Sequence, residues 1–146
     1  MTDATTGLEQ MICFELYAAA RSMTGRYRPA LDALGLTYPQ FAALRVIWHH
    51  DAITVRELGQ ILALDSGTLS PLLKRLEAQG LVTRVRGPHD ERTVTVRPTA
   101  KSLELQHQTA DLPERLACDI DLTLDEFAQL HHLLSRIRQP TEETPA

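Results

Sequence analysis

The segment LDSGTLSPLLKRLEAQGLVTRVRGPHDERTVTVRPT, residues 64–99, decides the fold of this chain. Its first half carries leucines at helical spacing after an N-cap at Asp65 or Ser66, and Gly80 stands where a glycine commonly ends a helix. Its second half alternates valines with polar residues in two short runs, which the polar stretch 87–91 separates. The segment predicts a helix followed by a β-hairpin with a flexible tip, that is, a wing.

A shorter helix is predicted just before this one. The residues TVRE at 54–57 have the form of a capping box, in which a Thr and a Glu three positions later satisfy each other's backbone N–H groups. Leu58, Ile61 and Leu62 follow at helical spacing, which gives about two turns. Two short helices joined by a tight turn form a helix-turn-helix, so we expect a winged helix-turn-helix lobe over residues 38–98.

Helical patterns flank this lobe on both sides. Apolar residues recur every three or four positions from Leu8 to Leu34, in a helix too long for this small chain to cover alone. The capping patterns TYPQ at 37–40 and TLDE at 123–126 open further helices, and a weaker stripe after residue 100 predicts a helix that Pro113 kinks. We expect a mainly α fold with a small β wing, and a disordered tail at 139–146.

Length and composition limit the class of protein. A chain of 146 residues with 43% apolar residues suits one domain, residues 1–146. It contains no apolar run of membrane-spanning length, and its N-terminus lacks the basic start and apolar run of a signal peptide. We therefore expect a cytoplasmic protein in which Cys13 and Cys118 are thiols at rest.

The charge of the chain is unevenly distributed. The net charge is −4, yet residues 66–101 hold seven basic and three acidic residues, a net +4 that leaves −8 for the remainder. An acidic body with one basic segment is typical of a localised phosphate-contacting surface. A solvated charged face explains the charge alone about as well.

The predicted second helix and the wing carry the side chains that DNA binding requires. A recognition helix presents small polar groups to base edges, with longer cations behind them for phosphates, and a wing arginine can enter a minor groove. The candidate DNA-binding residues are Ser66, Thr68, Ser70, Lys74, Arg75, Arg84, Arg86, Asp90 and Arg92. For each one alone, a helix cap or an ordinary solvated side chain is the simpler interpretation.

Residues 64–99 resemble the recognition helix and wing of the MarR family of regulators, and in particular its organic hydroperoxide resistance (OhrR) subgroup. The resemblance extends to CFELYAAARSMTGRYRPALDALGLTYPQF, residues 13–41. It implies that the helices in 8–34 and 100–138 build a homodimer, whose two recognition helices would match a palindromic double-stranded DNA operator. It also implies that Ser66, Thr68, Ser70 and Arg75 face the major groove and Arg92 the minor groove, with Asp90 positioning Arg92.

Cys13 is a candidate redox sensor. Such a cysteine must be a thiolate that hydrogen-bond donors stabilise, and Tyr17, Tyr27 and Tyr38 are candidates. Tyr27 follows Cys13 by 14 positions, so on one straight helix their Cα atoms lie about 21 Å apart. If Tyr27 and Tyr38 both serve Cys13, they belong to the other subunit, which is similar to the arrangement in the OhrR subgroup.

The resemblance to two-cysteine OhrR proteins implies the rest of the switch. Organic hydroperoxide would oxidise Cys13, a disulfide to Cys118 of the opposite subunit would form, and the repressor would leave its operator. Without the resemblance, Cys13 is more simply a small apolar residue on a helix face.

Two other functions remain open from the sequence. One is a thiol peroxidase; the other is a MarR-type regulator that a small phenolic or apolar ligand releases, bound between the dimer helices and the DNA-binding lobe. The six histidines show no metal-ligand spacing, so we predict no metal, and no motif indicates a cofactor.

Overall fold

The computed structural model describes the backbone of residues 4–138 and the side chains of residues 7 and 11–138. Within these residues the chain forms seven helices and three strands. They are α1 (Ala4–Asp32), α2 (Tyr38–His50), β1 (Ile53–Thr54), α3 (Val55–Leu62), α4 (Ser66–Ala78), β2 (Val82–Arg86), β3 (Val94–Pro98), α5 (Ala100–Gln108), α6 (Leu112–Cys118) and α7 (Leu124–Arg138). The mainly α fold with a small β wing is confirmed. The tail predicted at 139–146 lies outside the described residues.

Capping boxes set the starts of α2, α3 and α7, as the sequence predicts. In each case a threonine backbone N–H donates to the side chain three residues later, and that residue's own N–H donates back to the threonine hydroxyl. The first bonds are Thr37 to Gln40 at 3.0 Å, Thr54 to Glu57 at 3.0 Å and Thr123 to Glu126 at 2.8 Å. Each box satisfies two N–H groups that have no partner within the helix.

The three strands form one antiparallel sheet in the order β1-β3-β2. The wing hairpin pairs Arg84 with Val96, and β1 pairs Ile53 with Val96 on the other side of β3. The sequence predicts the hairpin but not β1, because two residues are too few to show alternation. Because β1 directly precedes α3, its pairing with β3 fixes the start of α3 against the wing.

The core of the lobe lies between this sheet and α2, α3 and α4. Its fully buried apolar side chains are Phe41, Leu44, Ile47, Leu58, Leu69, Leu73, Leu76, Val82 and Val96. They are the apolar residues whose spacing predicts the helices and the hairpin. Burying them holds the helix-turn-helix and the wing in one rigid arrangement.

The helix predicted to kink at Pro113 is instead two helices, so this prediction was wrong. α5 ends at Gln108, and the Thr109 hydroxyl turns back to donate to the carbonyl of Leu105 at 2.9 Å. α6 begins at Leu112, which places Pro113 in its first turn. A proline costs nothing there, because the first N–H groups of a helix have no intrahelical acceptor.

The chain divides into two compact units, Met1–Leu112 and Pro113–Ala146. In the first unit α5 packs on α2, where Trp48 Nε1 donates to the fully buried hydroxyl of Ser102 at 2.8 Å. Residues 100–112, predicted as part of the dimer helices, thus also complete the winged lobe. In the second unit none of the side chains of α7 is buried.

Candidate functional site

The start of the recognition helix α4 is shaped by the turn before it. α3 ends at Leu62, and its C-cap Ala63 has a positive φ of 53°. A Cβ at Gly59 would lie 3.1 Å from the carbonyl oxygen of Leu64, so a larger residue there requires a small shift of the turn. Asp65 then caps α4, accepting from the backbone N–H of Thr68 at 2.7 Å. The turn and cap hold the exposed side chains of Ser66 and Thr68 at the helix start.

A groove of about 1360 Å³ runs between the α3–α4 unit and the wing, and we call it the recognition groove. Five of the nine predicted DNA-binding residues line it: Ser66, Ser70, Arg84, Asp90 and Arg92. The other four lie outside it and are exposed: Thr68, Lys74, Arg75 and Arg86. The structure therefore brings the start of the recognition helix and the wing arginine to the two sides of one groove.

Asp90 shapes the wing tip in a different way from the one predicted. Its carboxylate accepts from the backbone N–H of Arg92 at 3.0 Å and from the Thr93 hydroxyl at 3.3 Å, rather than from the Arg92 guanidinium. Aspartate commonly bonds to a backbone N–H two residues on, and that local bond needs no ordered arginine side chain. Asp90 thus positions the backbone of Arg92 and leaves its side chain exposed.

Arg84 forms an ion pair with Glu77. Its Nε donates to Glu77 Oε2 at 3.1 Å and its Nη2 donates to Glu77 Oε1 at 3.2 Å, which joins β2 to the end of α4. The hydrogen bond from Arg84 lowers the pKa of Glu77, and the same bond raises that of Arg84. Arg84 is therefore an ion-paired side chain in this structure, not the free phosphate-binding cation that its sequence context predicts.

The sequence interpretation missed Arg56 and Gln60, which also line the recognition groove. Both lie on α3, and Arg56 is in its first turn. The available signal was their position in the first helix of the helix-turn-helix, since that helix crosses the DNA backbone in this class of motif. Arg56 adds a cation on the opposite side of the groove from the wing.

Cys13 lies on the N-terminal half of α1, where it is exposed. Its large neighbours on the helix are exposed as well: 62% of Met11, 49% of Ile12 and 67% of Phe14. Tyr17, one turn along, is exposed and has the guanidinium of Arg21 5.6 Å from its ring centre. Because α1 is one continuous helix, Cys13 and Tyr27 are separated by about 21 Å along its axis.

Tyr27 and Tyr38 form a pair at the other end of α1. Their ring centres are 5.0 Å apart in an edge-to-face arrangement, and Phe41 lies 5.9 Å from Tyr27. Burial raises the pKa of Tyr27 above its ordinary value of 10.0, the nearby Tyr38 raises it further and Arg45 opposes the rise. Tyr27 therefore keeps its proton at neutral pH and can donate a hydrogen bond.

Cys118 is the last residue of α6 and is exposed, in the second compact unit. Elsewhere in the described chain, no cluster of three His, Cys, Asp or Glu side chains could hold a metal ion. No helix among residues 4–138 is long and apolar enough to cross a membrane.

Residues 36–94 match the model of the MarR family, which spans α2 to the start of β3. The chain is also 49% identical over 106 residues to the organic hydroperoxide resistance transcriptional regulator of Bacillus subtilis, covering 73% of this chain and 72% of the relative. The chain belongs to the MarR family. Its winged helix-turn-helix and its DNA-binding regulatory role follow from that membership.

Solved MarR-type structures agree with this assignment. Reduced AbfR bound to DNA has a TM-score of 0.81 at 27% identity, covering 95% of each chain. Overoxidised AbfR bound to DNA has a TM-score of 0.78 at 30% identity, covering 94% of this chain and 99% of that one. AbfR is a Staphylococcus epidermidis protein. A relative named as a transcriptional regulator and neighbours bound to DNA favour a regulator over the thiol peroxidase that the sequence left open.

Proposed function

We propose that this MarR-family protein is a dimeric, cytoplasmic repressor that binds a palindromic operator when reduced, and that organic hydroperoxide releases it by oxidising Cys13. The observation that carries the proposal is the geometry of α1. Its N-terminal half has an exposed thiol, and Tyr27 near its other end pairs with Tyr38 at the start of α2. The similarity to a hydroperoxide resistance regulator supports the same function.

The dimer is needed to bring these ends together. The first half of α1 and the whole of α7 expose large apolar side chains, among them Leu124 at 88% and Ile137 at 62%. Apolar surface of this extent is stabilised by covering it, and a second copy of the chain offers the same surface. Two antiparallel α1 helices in such a dimer would set Cys13 of one subunit beside the tyrosine pair of the other.

The chemistry follows from the thiol and its donors. Hydrogen bonds from the tyrosines to the sulfur stabilise the thiolate, which is the form that reacts with peroxide. The thiolate sulfur attacks the terminal oxygen of the hydroperoxide and the O–O bond breaks, which forms Cys13 sulfenic acid and an alkoxide that takes a proton from water to leave as the alcohol. The thiol of Cys118 from the opposite subunit then displaces water, and an intersubunit disulfide forms.

Release from DNA is assigned to the disulfide. An overoxidised relative has been found bound to DNA, so in that protein overoxidation is compatible with binding. A covalent link between the subunits instead changes the separation of the two recognition helices, which must match successive major grooves about 34 Å apart. The proposed DNA contacts are Ser66, Thr68, Ser70, Lys74, Arg75, Arg86 and Arg92. Asp90 holds the wing tip.

The test combines a non-reducing gel with DNA binding. The reduced protein first selects a duplex from a random-sequence pool, and that duplex serves as the probe. A stoichiometric organic hydroperoxide should convert the wild type to a dimer-sized band and abolish binding. Cys13→Ser should do neither, whereas Cys118→Ser should form sulfenic acid without the band. Tyr27→Phe should slow the reaction by removing a hydrogen bond that stabilises the thiolate, which the rate constant with hydroperoxide measures.

Mixing the two cysteine variants tests the pairing. A dimer of one Cys13→Ser subunit and one Cys118→Ser subunit keeps one Cys13 and one Cys118 on opposite chains. It should still form the dimer-sized band, because the proposed bond crosses the interface. A wild type that loses its thiols while staying monomer-sized would instead indicate a bond within one subunit. A wild type that keeps DNA binding and free thiols would overturn the redox proposal.

A ligand-responsive MarR regulator is the second candidate, because the first compact unit contains a cavity of about 370 Å³. Leu34, Leu81 and Leu105 line it together with Gln79 and Lys101. Gln79 Oε1 is buried and has no hydrogen-bond partner among the described residues, so it can accept from a ligand hydroxyl. Release of DNA by a small phenol with both cysteines replaced by serine would favour this function.

A further inference from the structure

Glu77 forms an ion pair with Arg84, one of the cations that line the recognition groove. Three arginines line the groove: Arg56 from α3, Arg84 from β2 and Arg92 at the wing. Arg92 donates through its backbone to Asp90 and leaves its guanidinium exposed. Arg84 is the one of the three for which the structure gives an ion pair. Its side chain lines the recognition groove, but its charge is neutralised by Glu77 of the same chain.

Glu77 binds Arg84 in the geometry that a DNA phosphate uses. Two parallel N–H donors of the guanidinium meet two carboxylate oxygens at 3.1 and 3.2 Å. Arginine binds phosphate through the same fork of two donors, so carboxylate and phosphate compete for it. Both side chains remain accessible, with 27% of Arg84 and 41% of Glu77 exposed. The exchange therefore requires no unfolding of the lobe.

We propose that the Glu77 carboxylate takes the place of a DNA phosphate at Arg84. It keeps Arg84 off the DNA backbone and so weakens the binding that does not depend on DNA sequence. The other carboxylates of the groove have different partners. Glu57 and Asp65 cap α3 and α4, and Asp90 holds the wing tip. Glu77 is the groove's neighbour whose partner is a cation. The pair makes Glu77 a positioning residue for the DNA interface.

The salt dependence of binding measures the number of phosphates contacted. We would measure Kd for a mixed-sequence duplex of roughly 30 base pairs, three turns of DNA, because binding to it is electrostatic. Each added phosphate contact steepens the slope of log K against log[salt] by about 0.9. Freeing Arg84 in both subunits with Glu77→Gln should steepen the slope by about 1.8, which is a roughly twelvefold greater loss of affinity between 50 and 200 mM salt.

Two further variants separate the contact from other effects. Arg84→Met keeps the aliphatic stem and should leave the wild-type slope unchanged, since Arg84 contacts no phosphate while Glu77 holds it. The double variant should return to that same slope, because it has no Arg84 guanidinium to bind phosphate. If the Glu77–Arg84 pair only held β2 against α4 and had no role in phosphate binding, Glu77→Gln would weaken all complexes equally and leave the slope unchanged.

Two results would overturn the proposal. One is a Glu77→Gln slope equal to that of the wild type. The other is a flatter slope for Arg84→Met alone, because it would mean that Arg84 already binds phosphate beside an intact Glu77. Chemical denaturation of each variant shows whether the lobe is folded, and both substituted side chains are partly exposed, so we expect midpoints close to the wild type.

Discussion

The N-cap of the recognition helix is a single hydrogen bond on which the DNA-facing turn depends. Asp65 accepts from the Thr68 N–H at 2.7 Å, and the first turn contains Ser66 and Thr68. Asp65→Ala removes the acceptor and should destabilise the protein by about 1 kcal/mol per subunit, within a range of about 0.5 to 2. If the turn must be ordered to bind DNA, affinity should fall about fivefold per subunit and about 25-fold for the dimer.

The matched control is Asp65→Asn, which keeps an oxygen acceptor and removes the charge. Chemical denaturation at one fixed protein concentration gives the change in stability, because a dimer's apparent stability depends on concentration. Gel-shift titration gives the change in affinity. The capping argument is refuted if Asp65→Ala is as stable as the wild type, or if Asp65→Asn and Asp65→Ala change stability equally. Equal losses in the two variants would mean that the charge at residue 65, not the cap, is the important feature, whereas an unchanged Asp65→Ala would mean that neither contributes.

Three further predictions follow from the fold. Backbone hydrogen bonds lower the pKa of the capping carboxylates Glu57 and Glu126 below 4.5. The stability that these carboxylates add is therefore present above pH 4.5 and is lost as the pH falls through their lowered pKa values. Denaturation at a series of pH values should show that a Glu57→Gln variant loses less stability in acid than the wild type. Gly80→Ala should cost about 1 to 2 kcal/mol, because residue 80 has a φ of +72° with space for a Cβ; equal stability would exclude this strain. Leu58→Ala should cost about 2 to 5 kcal/mol by thermal or chemical unfolding, since Leu58 is fully buried, and a smaller loss would mean that the core closes over the cavity.

Features encoded within a few residues could be predicted from the sequence. The capping boxes at Thr37, Thr54 and Thr123 involve residues three positions apart, so their motif alone states the hydrogen bonds. The wing follows from alternation on both sides of a polar tip. The serines of α4 come to the groove because the helix start is set by its cap. In each case the pattern and the structure depend on the same local physics.

Features that depend on contacts between elements could not be predicted in this way. β1 exists because Ile53 meets Val96, more than forty positions later. The pairing of Arg84 with Glu77 depends on how β2 approaches α4, whereas the basic segment alone predicts a free cation at Arg84. The break between α5 and α6 depends on Thr109, whose hydroxyl bonds the preceding turn. Spacing alone contains none of this information.

The hydrogen bond between Trp48 and Ser102 gives this protein a built-in optical probe. Trp48 is the single tryptophan of the chain, and its indole N–H reports on the contact between α2 and α5. Its ring centre also lies 6.2 Å from that of Phe41, which contacts Tyr27 of the tyrosine pair. A shift of α1 or α5 on oxidation would therefore change the emission of one fluorophore, and stopped-flow fluorescence could time the movement of the lobe without any added label.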